Sequence, residues 1–112
     1  MSTFPEIPVT QLADEAVVLD IREQDEWDHG HAPAAVHIPM SELPVRVDEL
    51  VPFLDSDDAL VLTCRSGNRT QRVMPWLEQQ GYDVANMAGG MLAWHAAGKP
   101  LEASGPTDPR IL

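Results

Sequence analysis

Between Ala59 and Gln71 the chain passes from a continuous apolar run, Ala59-Leu60-Val61-Leu62-Thr63, through its single cysteine, Cys64, and a polar segment, Arg65-Ser66-Gly67-Asn68, into a helix-like stretch. An apolar run without alternation belongs to a strand covered on both faces, the setting of an interior strand in a parallel sheet. Ala16-Val17-Val18-Leu19-Asp20-Ile21 has the same character and the same end, apolar residues giving way to charge. A chain of 112 residues can enclose one such sheet in one core, which points to a single α/β unit.

The segment around Cys64 also constrains chemistry. A buried strand, a tight glycine-containing turn and a helix start bring several backbone N–H groups toward one point, a nest for negative charge. A cysteine there, flanked by Arg65 and Arg69, is expected to ionise below the ~8.5 of a free thiol and to act as a nucleophile. Taken alone, Cys64 fits equally well as a small buried residue at a strand end. The charge distribution bears on this choice. The net charge of −11 argues against a nucleic-acid partner, yet no acid occurs from Ala59 through Leu77, where Arg65, Arg69 and Arg72 all lie. That window is a local positive island suited to a small anion. One cysteine excludes an internal disulfide, a multi-cysteine zinc site and a resolving thiol within this chain. No apolar run is long enough to span a bilayer, and no basic region precedes an apolar leader. A cytoplasmic protein without a membrane partner is the expectation.

Taken in order, Ile7-Pro8-Val9 admits only an edge strand, and Thr10 is a candidate cap for a brief helix through Ala13 and Asp14. Glu23 to His29 reads as a short helix with acids in its first turn, Trp27 inward and Gly30 past its end. A loop then leads to a short strand around Val36 to Ile38. His29, His31 and His37 match no standard zinc spacing, so no metal is expected; His31 should hydrogen-bond within its loop, and the others should be strand or surface residues. Ser41 is a candidate cap for a helix carrying Leu43, Val47, Leu50 and Val51, with Pro52 as its stop, before the polar turn Asp55-Ser56-Asp57-Asp58. After Cys64 a helix is expected from about Arg69 to Gln80, closed by Gly81 and bent by Pro75. Tyr82 to Met87 reads as a strand, Ala88-Gly89-Gly90 as a turn, and Met91 to Ala97 as a helix with Trp94 inward and Gly98 at its end. Strands alternating with helices predict parallel pairing through right-handed crossovers, with ligands beyond the strands' carboxyl ends. Asp20, Arg22 and Cys64 fall at those ends. Leu101 to Leu112 has no periodicity and reads as an extended or mobile tail.

Four segments, in order, resemble one family, the rhodanese-like domains, which include thiosulfate sulfurtransferases. Leu19-Asp20-Ile21-Arg22-Glu23 is similar to that family's "DVRE" segment, and Glu26-Trp27 with Gly30-His31-Ala32-Pro33 to its "E[WY]xxGHIPGA" stretch. Cys64-Arg65-Ser66-Gly67-Asn68-Arg69 matches the active loop "CRSGxR", and Asn86-Met87-Ala88-Gly89-Gly90-Met91 with Trp94 resembles "NLxGGxxxW". The resemblance implies a three-layer α/β fold, a mostly parallel central sheet of four to five strands with helices on both faces. It also implies one domain over residues 1–100 and a tail over 101–112. Two departures stand out: Ala34 where glycine is usual, and Met74-Pro75 where alanines are common.

The resemblance implies sulfur transfer without a cofactor. Cys64 would carry the sulfur as a persulfide, and Arg65, Ser66, Gly67, Asn68 and Arg69 would bind the anionic donor. Asp20, Arg22 and Thr70 would support them at the pocket wall, unless Asp20 and Arg22 are an ordinary surface pair. Partners would be a small anionic sulfur donor and an external acceptor: cyanide, a small thiol or a protein thiol. Related cell-cycle phosphatases and some arsenate reductases use C-x5-R, whereas Cys64 to Arg69 is C-x4-R, a smaller ring better suited to sulfur. The alternatives are a phosphatase or arsenate reductase-like enzyme, and a non-catalytic binding or oxidant-sensing module on the same fold.

Overall fold

The computed structural model describes residues 4–54 and 57–112. Its strands are β1 (Glu6–Ile7), β2 (Val18–Asp20), β3 (Val36–His37), β4 (Leu60–Thr63) and β5 (Val84–Met87). All pair in parallel in the order β1-β5-β4-β2-β3, so the apolar run that ends at Cys64 becomes the central strand. The other apolar run is its neighbour, with Leu19 level with Leu62 and Asp20 with Thr63. The helices are α1 (Gln24–His29), α2 (Leu43–Arg46), α3 (Thr70–Gln79) and α4 (Gly90–Ala96).

Successive strand residues point to opposite faces, and the core divides accordingly. Leu19, Leu60, Leu62, Cys64 and Val84 join Leu43 of α2 and Val73, Met74 and Leu77 of α3 in one cluster. Val18, Val61, Ala85 and Met87 join Met91 and Trp94 of α4 in the other. Because both faces need covering, the central strands can be apolar throughout; this is the physical content of the unalternating runs. The result is the expected α/β architecture with helices on both faces.

Local boundaries shift where proline or short connections intervene. The edge strand is Glu6–Ile7, ending before Pro8, which has no N–H for the ladder. Thr10 lies inside a 3₁₀ turn, Val9–Gln11, instead of capping a helix. Ser41 likewise lies inside the 3₁₀ turn Met40–Glu42. The helix expected to stop at Pro52 is α2 followed by a 3₁₀ stretch, Val47–Phe53, that contains Pro52. Pro52 has no N–H to donate in either an α or a 3₁₀ turn, so the expected stop becomes a position inside the 3₁₀ stretch. Its Leu50 is buried and its Val51 about half exposed. Asp55 and Ser56 of the expected polar turn lie outside the described residues. Helix α3 continues through Pro75, which sits on its exposed side while Met74 packs in the core cluster that contains Cys64. Ala34 has no positive φ, so its turn forms without the usual glycine.

The segment after α4 is extended but docked. Glu102 and His31 form an antiparallel bridge, Ser104 N–H donates to the Asp28 carbonyl, and Arg110 N–H to the His29 carbonyl. Leu101 and Ile111 pack against the α4-side core, which accounts for a tail held in place without helical or strand periodicity.

Candidate active site

Cys64 lies one residue beyond the end of β4 and is 1% exposed. The chain then turns back over it, and the backbone N–H of Gly67 donates to its Sγ at 3.1 Å. That approach requires Gly67 at φ +93°, a left-handed conformation that a side chain disfavours. The Thr70 hydroxyl, in the first turn of α3, stands 4.0 Å from Sγ. The backbone N–H groups of Arg65, Ser66, Asn68 and Arg69 donate to no protein acceptor among the described residues, and so are available to an anion.

Two elements with no site role expected from sequence hold this loop. Asn86, 1% exposed in β5, accepts from the Thr70 hydroxyl at 2.7 Å and donates to the Gly67 carbonyl at 3.4 Å and to Glu6 at 3.1 Å. A polar residue inside the apolar run Val84-Ala85-Asn86-Met87 was the available signal. The second support is the turn into α4. Met91 N–H donates to the Cys64 carbonyl at 2.8 Å and Leu92 N–H to the Arg65 carbonyl at 3.0 Å. Gly90, at φ +61°, makes this possible, since a Cβ there would lie 2.5 Å from the Cys64 oxygen and 2.6 Å from the Arg65 oxygen. Both obstacles are backbone atoms and cannot rotate away. Gly90→Ala is therefore expected to cost about 2–4 kcal/mol, read as a lowered urea midpoint at unchanged slope. A midpoint equal to the parent's would show that the loop yields freely.

The arginines are arranged differently from the expected cradle. Arg69 forms a bidentate pair with Glu26 of α1, both contacts at 2.7 Å, and the Arg65 Nε donates to the Leu112 carbonyl at 2.7 Å. The island free of acids in sequence is thus partly neutralised from 43 residues away. Glu26 also accepts from the Glu23 N–H at 3.1 Å as part of a capping box at the start of α1. Hydrogen bonding to Arg69 holds the Glu26 carboxyl below its usual pKa of 4.5, against the opposing effect of burial. A carboxyl lowered on folding adds stability that is present above its unfolded value and is lost as pH falls through the folded one. Glu26→Gln should accordingly be less stable than the parent by up to about 1 kcal/mol at neutral pH. The gap should close as pH drops below about 4.5, as followed by denaturant midpoints across pH. A gap independent of pH would assign the loss to packing.

Asp20 and Arg22 form neither a pocket wall nor a surface pair. Both side chains are fully buried, 2.7 Å apart, and Arg22 also donates to the carbonyls of Gly30 at 2.8 Å and Glu26 at 3.4 Å. They reach the loop indirectly: Arg22 fixes α1, α1 carries Glu26, and Glu26 holds Arg69. The three histidines go to separate backbone carbonyls, His29 to Asp25, His31 to Trp27 within its own loop, and His37 to Arg22. The rings of His31 and His37 both stack on Trp27, at 3.7 and 4.6 Å between centroids. Among the described residues no three histidine, cysteine or carboxylate side chains gather as a metal site, and no helix is long and apolar enough to cross a membrane.

Fold and loop together define a parallel α/β domain with one thiol at the carboxyl end of its central strand. The model of the rhodanese-like domain matches residues 9–97, and the chain belongs to that family, with sulfurtransferases among its relatives. It is 38% identical over 96 residues to a sulfurtransferase of Allochromatium vinosum, covering 83% of this chain and 86% of that one. A rhodanese-related protein from Thermoplasma volcanium superposes with a TM-score of 0.75 at 26% identity, over 88% of this chain and 98% of that one. A thiosulfate sulfurtransferase from Pseudomonas aeruginosa gives 0.74 at 26% identity, over 97% of this chain and 22% of the longer protein.

Proposed function

We propose that this domain, taken as residues 1–100 with the tail docked against it, moves a sulfane sulfur from an anionic donor such as thiosulfate to an external acceptor through a Cys64 persulfide. The Cys64 thiolate attacks the outer sulfur of thiosulfate, the S–S bond of the donor breaks, and sulfite leaves with the electron pair. An acceptor nucleophile then attacks the outer sulfur of the persulfide and returns the Cys64 thiolate; with cyanide the product is thiocyanate. The observation that carries this reading is the Gly67 N–H on Cys64 Sγ at 3.1 Å, a fixed donor aimed at the atom that bears negative charge before the sulfur is taken up and again after it is handed on. The N–H groups of Arg65, Ser66, Asn68 and Arg69 bind the donor's oxygens, and Thr70 and Asn86 keep the turn in shape. The Arg69 charge acts with its Glu26 partner attached, so it orders the loop more than it attracts the anion.

A chain with no second cysteine needs its acceptor from outside, and a reducing cytoplasmic setting suits a single free thiol. Mass spectrometry after incubation with thiosulfate tests the reading: one sulfur atom should be gained on the peptide containing Cys64, and a reducing agent should remove it. Absence of an adduct with thiosulfate, mercaptopyruvate and glutathione persulfide alike would leave a binding or oxidant-sensing module. Cys64-dependent turnover of an aryl phosphate would favour a phosphatase instead.

A further inference from the structure

A second concavity opens at the same end of the sheet as Cys64. Met40, Leu43, Pro44, Val73 and Trp76 line a groove of ≈ 220 Å³, with Arg72 as its charged lining residue. Met40 follows β3 and is tied to the end of β2 by its N–H on the Ile21 carbonyl at 2.9 Å. Arg72 and Val73 lie in the first turns of α3, directly after the loop, and Val73 belongs to the core cluster that contains Cys64. The groove is therefore placed for something that approaches the thiol and needs a foothold beside it.

Charge identifies what the groove would accept. Of the seven basic residues in the chain, Arg22, Arg46, Arg69 and Lys99 are paired with carboxylates, Arg65 is bound to a carbonyl, and Arg110, also without a side-chain partner among the described residues, lines a different groove in the tail. Arg72 has no side-chain partner among the described residues, although the chain carries eighteen acids. Glu42, beside Leu43 in sequence, is engaged by Arg46 at 3.0 Å. An unneutralised guanidinium over an apolar floor fits an apolar group with a carboxylate next to it. The volume is smaller than the roughly 300–1,000 Å³ of pockets that enclose a whole drug-sized ligand, and suits one anchoring side chain. A second copy of the chain is disfavoured, because it would bring −11 against −11 and Arg72 against Arg72 around a two-fold axis.

We propose that this groove is the docking subsite for a protein partner, seating one apolar side chain of an extended segment while Arg72 pairs with a neighbouring carboxylate. The inference rests on the reading of Cys64 as a sulfur carrier that exchanges with a protein thiol. The acetylated, amidated peptides Gly-Phe-Asp and Gly-Phe-Lys are titrated to millimolar concentration into the ¹⁵N-labelled full chain. The Trp76 indole N–H and the Val73 amide should shift saturably with Gly-Phe-Asp, which should bind about two- to fivefold more tightly than Gly-Phe-Lys. Arg72→Glu should invert that order. No saturable shift at Trp76, equal binding of the two peptides, or an order unchanged by Arg72→Glu would overturn the proposal, as would a concentration-dependent dimer that buries Trp76. Occupancy without any sulfur adduct on Cys64 would support the subsite and refute the transfer reading, whereas an adduct without occupancy would refute the subsite alone.

Discussion

Cys64→Ser is expected to lower thiocyanate formation from thiosulfate and cyanide by on the order of 10³-fold or more, with the fold retained. No other thiol exists in the chain to take over, and a serine hydroxyl at neutral pH is a far poorer nucleophile toward sulfane sulfur. The substitution is sterically mild. The smaller oxygen stays within reach of the Gly67 N–H, and the carbonyls of Cys64 and Arg65 keep their bonds to Met91 and Leu92. Melting curves should differ by only a few degrees, so a lost rate can be assigned to chemistry. A serine protein that kept even a tenth of the parent rate would show that the sulfur does not pass through Cys64.

Asp20→Ala should have the largest effect on stability. It leaves the Arg22 guanidinium fully buried, still bonded to two carbonyls but without a counter-charge. Removing one partner of such a pair costs about 3–5 kcal/mol, a large share of the stability of a domain this size. The midpoint of thermal unfolding should fall by roughly 10–25 °C. Replacing both partners by apolar residues, Asp20→Leu with Arg22→Met, should restore much of the loss, because no charge is then left buried. The double variant is informative for function as well. If the pair acts on the loop by fixing α1 and Glu26, its thiosulfate kinetics should remain impaired after stability recovers. An Asp20→Ala protein within about 1 kcal/mol of the parent would mean that water or a rearranged carboxylate reaches Arg22.

The parts of the site that were legible in sequence are those set by neighbours along the chain. Cys64 at a strand end, glycine in the turn and a helix start after it are all local, and each appears where the spacing placed it. The helix α1 was readable from its first-turn acids, and its capping box follows from Glu23 and Glu26 being three residues apart. The roles of the arginines were not readable. Arg65 and Arg69 face the loop in sequence, but their guanidiniums are taken by Leu112 and by Glu26, 47 and 43 residues distant. Asn86 and Gly90 were visible as a motif, while their tasks depend on β5 lying beside β4.

The same division holds for the fold. Unalternating apolar runs dictate strands covered on both faces, and alternation with helices dictates parallel pairing; these follow from backbone geometry and the need to bury apolar surface. The sequence by itself therefore determined an α/β sheet with a thiol at a strand end. Tertiary structure decided that the thiol's strand is central, that Asp20 and Arg22 are sealed inside, and that the tail is docked. It also decided which cations are neutralised, leaving the Arg72 side chain without a partner among the described residues. The reason is physical: burial and ion pairing depend on distances between residues far apart in the chain, and those distances exist only once the strands have taken their order.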